Sequence, residues 1–292
     1  MKDRIRGALY GVAVGDALGA PLEFMEAEEI QKKYGKTVCE MVGGGWLNVA
    51  PGEITDDTQM TIAVAEGIVE SPKSPIVSIG RRFREWYKSN PKDIGNTCGM
   101  SIAMADRLVE TGHSEEDVWR EAVRRPHEEG AAGNGALMRT IYPALYYKDE
   151  NVAAEFTRAI AWMTHPNEAS AALCMDYVRL VSMALIAPEQ AIQEITRIVQ
   201  GYGERKEPTG WVVASMENAL YAIMLTGTFE DAVVEAVNQG GDADTIGAIT
   251  GGLAGSVYGF EAIPQRWVSC LSSDVRSTLD HLANEVVMAR EG

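Results

Sequence analysis

The sequence predicts an all-α protein, one domain of stacked, obliquely crossing helices spanning residues 1–292. Three observations carry this. Apolar residues recur at helical spacing through most of the chain. Glycine and proline clusters punctuate those segments at regular intervals. Alternating apolar and polar runs of strand length are missing, apart from a weak hairpin signal at residues 38–46.

The first expected helix, residues 5–18, is rich in Ala, Leu and Val. The second, 58–70, places Met60, Ala63, Val64, Gly67 and Ile68 on one side. The same pattern recurs at 76–87, 100–109, 153–162, 168–186, 188–199, 212–225, 229–238 and 245–258. Breaks fall at Ser71-Pro72, Asn90-Pro91, Gly112, His165-Pro166, residues 201–208, Gly240-Gly241 and Ile263-Pro264. No linker-like tract, repeat or low-complexity segment divides the chain. Stretches 110–129 and 203–209 read as loops flanking a cleft.

The bulk composition is that of an ordinary globular protein, 46% hydrophobic and 23% charged, with a formal net charge of -16. That acidity repels a phosphate backbone, so binding of nucleic acid through a basic groove is not expected. An anionic substrate stays admissible, because a bound divalent ion can reverse the local sign. The four cysteines are far apart and form no C-x-x-C pair, which argues against a zinc knuckle. No signal sequence and no apolar run of about 18 residues is apparent, so no membrane span is expected. A cytoplasmic location and a monomer are the default expectations.

Three acidic motifs lie at helix boundaries: Gly15-Asp16-Ala17-Leu18-Gly19 followed by Glu23, Thr55-Asp56-Asp57-Thr58, and Gly240-Gly241-Asp242-Ala243-Asp244-Thr245. Each Asp pair could simply cap the helix that follows. Capping needs only one side-chain oxygen, however, whereas the second and third motifs each offer two carboxylates and a threonine hydroxyl. Like charges in one turn repel unless a cation neutralises them. Hard divalent cations prefer such all-oxygen sets, and two ions about 3.5–4 Å apart can share them. Histidine and cysteine are absent from the motifs, which disfavours zinc.

With Gly95-Asn96-Thr97-Cys98, Gly133-Asn134-Gly135-Ala136-Leu137-Met138-Arg139 and Thr164-His165 added, these motifs resemble the ADP-ribosylglycohydrolase family in residues and in order. The similarity runs from about Arg6 to Trp267. Residues 41–47 and 237–241 resemble the bacterial branch that includes dinitrogenase reductase-activating glycohydrolase. The resemblance implies an orthogonal all-α fold and a dinuclear Mg²⁺ or Mn²⁺ site. Its ligands by matching position are Glu23, Thr55, Asp56, Asp57, Asp242, Asp244 and Thr245. It implies hydrolysis of the N-glycosidic bond between ADP-ribose and an arginine of a modified protein, releasing ADP-ribose. O-linkage to serine and small ADP-ribose conjugates stay open.

Under that resemblance Asp93 is the expected general acid/base, with Asp56 and Asp244 also catalytic; an exposed loop aspartate is the competing reading of Asp93. Gly133, Asn134 and Gly135 would offer free backbone N–H groups to the diphosphate. His165 and Asn96 would contact phosphate or the distal ribose. Trp211 would stack on adenine, or else belong to the core. Trp46 and Cys98 read as packing. A regulatory partner protein of nitrogen signalling is a further implication of the branch. Two other function classes fit the acidic clusters alone: a two-metal phosphoesterase and a non-catalytic ADP-ribose-binding protein.

Overall fold

A computed structural model describes residues 1–122 and 132–291. Part of the expected loop 110–129, residues 123–129, therefore lies outside the described residues. Among those described there are fifteen α-helices and no strand. In order they are α1 (Lys2–Gly19), α2 (Ala27–Tyr34), α3 (Asp56–Glu70), α4 (Pro75–Lys88), α5 (Asn96–Glu110), α6 (Glu115–Ala122), α7 (Ile141–Tyr146) and α8 (Glu150–Trp162). Then follow α9 (Glu168–Ile186), α10 (Pro188–Gln200), α11 (Val212–Leu225), α12 (Phe229–Val237), α13 (Ala243–Tyr258), α14 (Gln265–Cys270) and α15 (Ser273–Glu291).

Helices α1 and α13 form the central pair, with α3, α9, α11, α12 and α15 packed around them. From Gly7 onward α1 is buried on all sides, as is α13 from Ala243 to Val257, the state of helices surrounded by others. Their contact is built from small residues every fourth position. Gly7, Gly11, Gly15 and Gly19 face Gly255, Gly251, Gly247 and Ala243 in antiparallel register. A Cβ on any of these four α1 glycines would overlap backbone atoms of the partner helix. Dispersion between two closely apposed backbones thus replaces side-chain interdigitation. The register brings the C-terminal end of α1 to the N-terminal end of α13. Two bonds fasten that corner: Phe24 N–H donates to Gly241 O at 2.7 Å, and Gly241 N–H to Met25 O at 2.8 Å.

Several expectations change. Residues 38–46 form no hairpin, because Gly43, Gly44 and Gly45 all have positive φ and cannot continue a strand. Gly44 and Val49 instead close a single backbone bridge. The expected loop 110–129 contains α6. Helix α15 was not anticipated, although Leu279, Leu282, Ala283 and Val286 bury one stripe of it. Helix α9 is long and apolar enough to cross a membrane by composition, contrary to the expectation of no such segment. Just over half of that span is buried against other helices, and it carries Glu168, Asp176 and Arg179, so it is a core helix.

Candidate active site

The N-termini of α3 and α13 converge at the end of the central pair. Thr245 Oγ1 lies 3.3 Å from Asp57 Oδ2, although 188 positions separate them in sequence. One carboxylate oxygen from each of Glu23, Asp242 and Asp244 lies within 4.8 Å of the others. Capping does not explain these acids. Thr55 and Asp242 hold the N-cap positions of α3 and α13, yet neither side chain makes a capping bond. Asp57 Oδ1 is buried without any hydrogen-bond partner. A buried carboxylate oxygen left bare is costly unless a cation meets it.

Asp16 organises the α3 end. It is fully buried and accepts from Thr55 N–H at 3.0 Å, Thr55 Oγ1 at 2.9 Å and Thr58 N–H at 3.1 Å, with a further bond from Thr58 Oγ1. Thr55 is therefore held from behind by Asp16 rather than facing the cavity openly. A hydroxyl donating to Asp16 keeps its lone pairs for a cation. On the other side Asn134 Nδ2 donates 2.8 Å bonds to both Asp242 Oδ2 and Ser215 Oγ. Trp46 Nε1 donates to Glu23 Oε2 at 2.6 Å.

Crowded burial lifts these acids. Burial, with repulsion from Asp93, Asp242 and Asp56 and against the bond from Trp46, pushes Glu23 up to about 8. Burial and the charges of Asp93 and Asp16 push Asp56 up to about 8. Asp57 and Asp244 stand well above the carboxylate range, first through burial and then through their neighbours. Asp16 rises to about 6, since burial outweighs its hydrogen bonds. Several carboxylates that resist joint ionisation, an all-oxygen donor set and a bare buried oxygen together fit a hard divalent cation.

A cavity of about 510 Å³ opens over this cluster. Its walls include Glu23, Asp56, Asp57, Asp242, Asp244 and Thr245, and also Asp93, Asn96, Gly133, Asn134, Gly135 and His165. Thr55 and Trp211 are not in its walls. Asp93 is half-buried, not an open loop residue, and burial raises its carboxyl. Asn96 begins α5 at the mouth, and the preceding Gly95 N–H points at Asp56 Oδ2, 3.4 Å away.

The Gly133–Gly135 turn is narrower as a cradle than expected. Asn134 N–H already donates to Gly210 O at 3.0 Å, so it is not free for a phosphate. The glycines let the turn press against His165: a Cβ on Gly133 would lie 3.2 Å from His165 Nε2, and one on Gly135 3.1 Å from its Cε1. His165 is buried, with Nδ1 2.7 Å from Thr164 Oγ1, which in turn accepts from Arg139 Nη2 at 2.6 Å. Trp211 is 47% exposed and so is not a core residue. It adjoins Gly210 of the cavity wall and bridges to Gly133. Trp46, read as packing, lines the cavity beside Phe24, and Cys98 forms part of the floor under Arg139 Nη1 at 3.3 Å.

The family profile described as ADP-ribosylglycohydrolase matches residues 1–292. The chain belongs to the ADP-ribosylglycohydrolase family. It is accordingly a hydrolase. This ADP-ribosylglycohydrolase is 36% identical to the ADP-ribosyl-[dinitrogen reductase] glycohydrolase of Rhodospirillum rubrum, over 94% of the chain and 92% of that protein. It is 29% identical to the ADP-ribosylarginine hydrolase Tri1 of Pseudomonas putida, over 91% of the chain and 73% of that protein. A solved structure described as an ADP-ribosylglycohydrolase-related protein complex superimposes with a TM-score of 0.80 at 30% identity, covering 98% of this chain and 97% of that one. The all-α expectation and the family resemblance hold.

The sequence patterns mark Asp16 within an acidic motif but not as the acceptor behind Thr55 and Thr58, and they do not mark Phe24, Trp46 or the Asn134 side chain as parts of this site. A Gly-Asp step inside a helix carries no sign of which donors the carboxylate will meet. A tryptophan after three glycines does signal a special loop, and that signal was legible.

Proposed function

We propose that this chain removes ADP-ribose from an arginine side chain of a modified protein, using two Mg²⁺ or Mn²⁺ ions. The observation that carries the reading is the convergence of Glu23, Asp56, Asp57, Asp242 and Asp244 on one cavity, with Asp57 Oδ1 bare and neither N-cap side chain, Thr55 or Asp242, making a capping bond. Those five acids, with Thr55 and Thr245, would hold the ions. When bound, such ions orient ribose hydroxyls and make a water more acidic.

The protein's own groups supply the rest. Asp93 faces the same cavity with its carboxyl raised by burial, the direction that favours a proton donor. Its proton would go to the guanidine nitrogen as the bond to ribose C1 breaks, while a water oxygen bonds to C1 and gives up a proton that restores the Asp93 carboxyl. The ionised cluster meets positive charge developing on the ribose. Asn96, Gly133, Gly135 and His165 line the space available to the diphosphate and the second ribose, with Trp211 at the rim for the adenine. A phosphoesterase reading has no support in the family. The relative named as an ADP-ribosylarginine hydrolase favours the arginine linkage over serine.

Incubation with arginine- and serine-ADP-ribosylated proteins, followed by product analysis, tests the reading. It predicts free ADP-ribose and regenerated arginine. Release of AMP, or action on serine alone, would refute it.

A further inference from the structure

Phe24 and Trp46 are large aromatic residues left 69% and 55% exposed, side by side on the wall of the active-site cavity. Their ring centroids are 5.4 Å apart with planes tilted by 45°. Aromatic side chains of this size usually find cover in the core. Here the backbone prevents it. Phe24 has φ of 62°, the left-handed region that non-glycine residues rarely occupy. Its N–H is pinned to Gly241 O at 2.7 Å, and the next residue's N–H to Leu22 O at 3.1 Å. Trp46 follows the three positive-φ glycines, and a Cβ on Gly45 would lie 2.9 Å from Pro21 Cα. The turn thus seats directly on the backbone beyond α1, and the bond from Trp46 Nε1 to Glu23 Oε2 fixes the indole.

The surroundings are anionic. Phe24 directly follows Glu23, Trp46 is bonded to it, and Asp56 and Asp93 share the cavity. An aromatic face next to carboxylates selects a cation, and a flat delocalised one can in addition stack on the ring. The geometry points to Phe24 and Trp46 as the seat of the guanidinium of the modified arginine, making this pair a determinant of linkage specificity. The inference rests on the arginine-linked reading above and adds the residues that recognise the leaving side. A serine-linked substrate brings no cation and gains nothing from the pair.

The test uses Mn²⁺-loaded full-length enzyme with Phe24→Ala and Phe24→Leu. Steady-state kinetics are measured on arginine- and serine-ADP-ribosylated peptides, and ADP-ribose affinity by calorimetry. Phe24 is largely exposed, so both variants should fold. The expected result is a rise in KM for the arginine peptide of about 3- to 30-fold in both variants, since leucine keeps bulk but has no ring face. ADP-ribose affinity should stay within about two-fold of the wild type, as the product lacks the guanidinium. An unchanged KM for the arginine peptide, or an equal loss of ADP-ribose affinity, overturns the assignment while leaving the arginine-linked function intact. A wild-type enzyme that releases ADP-ribose from neither peptide, or from serine alone, refutes the function itself and this assignment with it.

Discussion

Gly15 of α1 and Gly247 of α13 touch backbone to backbone: a methyl group on Gly247 would sit 2.5 Å from the carbonyl oxygen of Gly15. This contact repeats along the pair and sets where Glu23 lies relative to Asp242 and Asp244. Stability and site geometry are therefore linked through one interface.

Substituting Gly15→Ala should cost about 1–3 kcal/mol or more, the scale of overpacking in a tight core. Denaturant unfolding checks this. Gly203→Ala, at a position with open space and no positive φ, should be close to neutral. Equal stability of the two variants would mean that the helices can separate without penalty.

Asp16→Asn replaces a carboxylate that accepts from Thr55 and Thr58 with a group whose amide half faces donors. Each donor left bare costs about 1–3 kcal/mol. Divalent-ion affinity should fall about 10- to 100-fold, as for other residues that orient ligands, although Asp16 does not line the cavity. Calorimetric titration with Mn²⁺ reads the effect, and Asp16→Glu should restore little because the longer side chain does not fit a fully buried position.

The metal-free protein should lose stability as pH rises. Glu23 and Asp56 sit near 8 in the folded state, against ordinary values of 4.5 and 3.8. The folded state therefore binds more protons across that interval, and stability falls with increasing pH. The contribution is complete below about pH 4 and is lost as pH passes through 8. Divalent ions bind the ionised form, so added Mg²⁺ should raise the melting temperature most at the alkaline end. Glu23→Gln should flatten the slope; an unchanged slope would show that these acids are not protonated together.

Asp93→Asn should lower kcat by about 10²- to 10⁴-fold while leaving Mn²⁺ affinity near the wild-type value. Full turnover by this variant would remove Asp93 from proton transfer.

Much of this was legible in residue patterns. Helices with strong periodicity, such as α3 and α9, were found within two residues of their ends. The acidic motifs announced themselves because two carboxylates and a hydroxyl exceed what a cap requires. Helix α15 is faint in the sequence because its apolar stripe is thin and its other faces are charged, although Leu279, Leu282 and Val286 keep helical spacing. What could not be read was partnership over distance. The choice of Asp242 by Asn134, and of Asp16 by Thr55 and Thr58, depends on segments far apart in sequence meeting, among them α1 with α3 and α1 with α13. The use of Asn134 N–H by Gly210, which narrows the phosphate cradle, is of the same kind.

The central claim is that the carboxylates gathered by α1, α3 and α13 hold divalent ions on which ADP-ribose release depends. The most direct measurement is release of ADP-ribose from an arginine-ADP-ribosylated protein by enzyme stripped of metal, before and after addition of Mn²⁺ or Mg²⁺. The account predicts no release from the stripped enzyme and recovery on adding the ion. Undiminished release by the stripped enzyme in the presence of a chelator would contradict it.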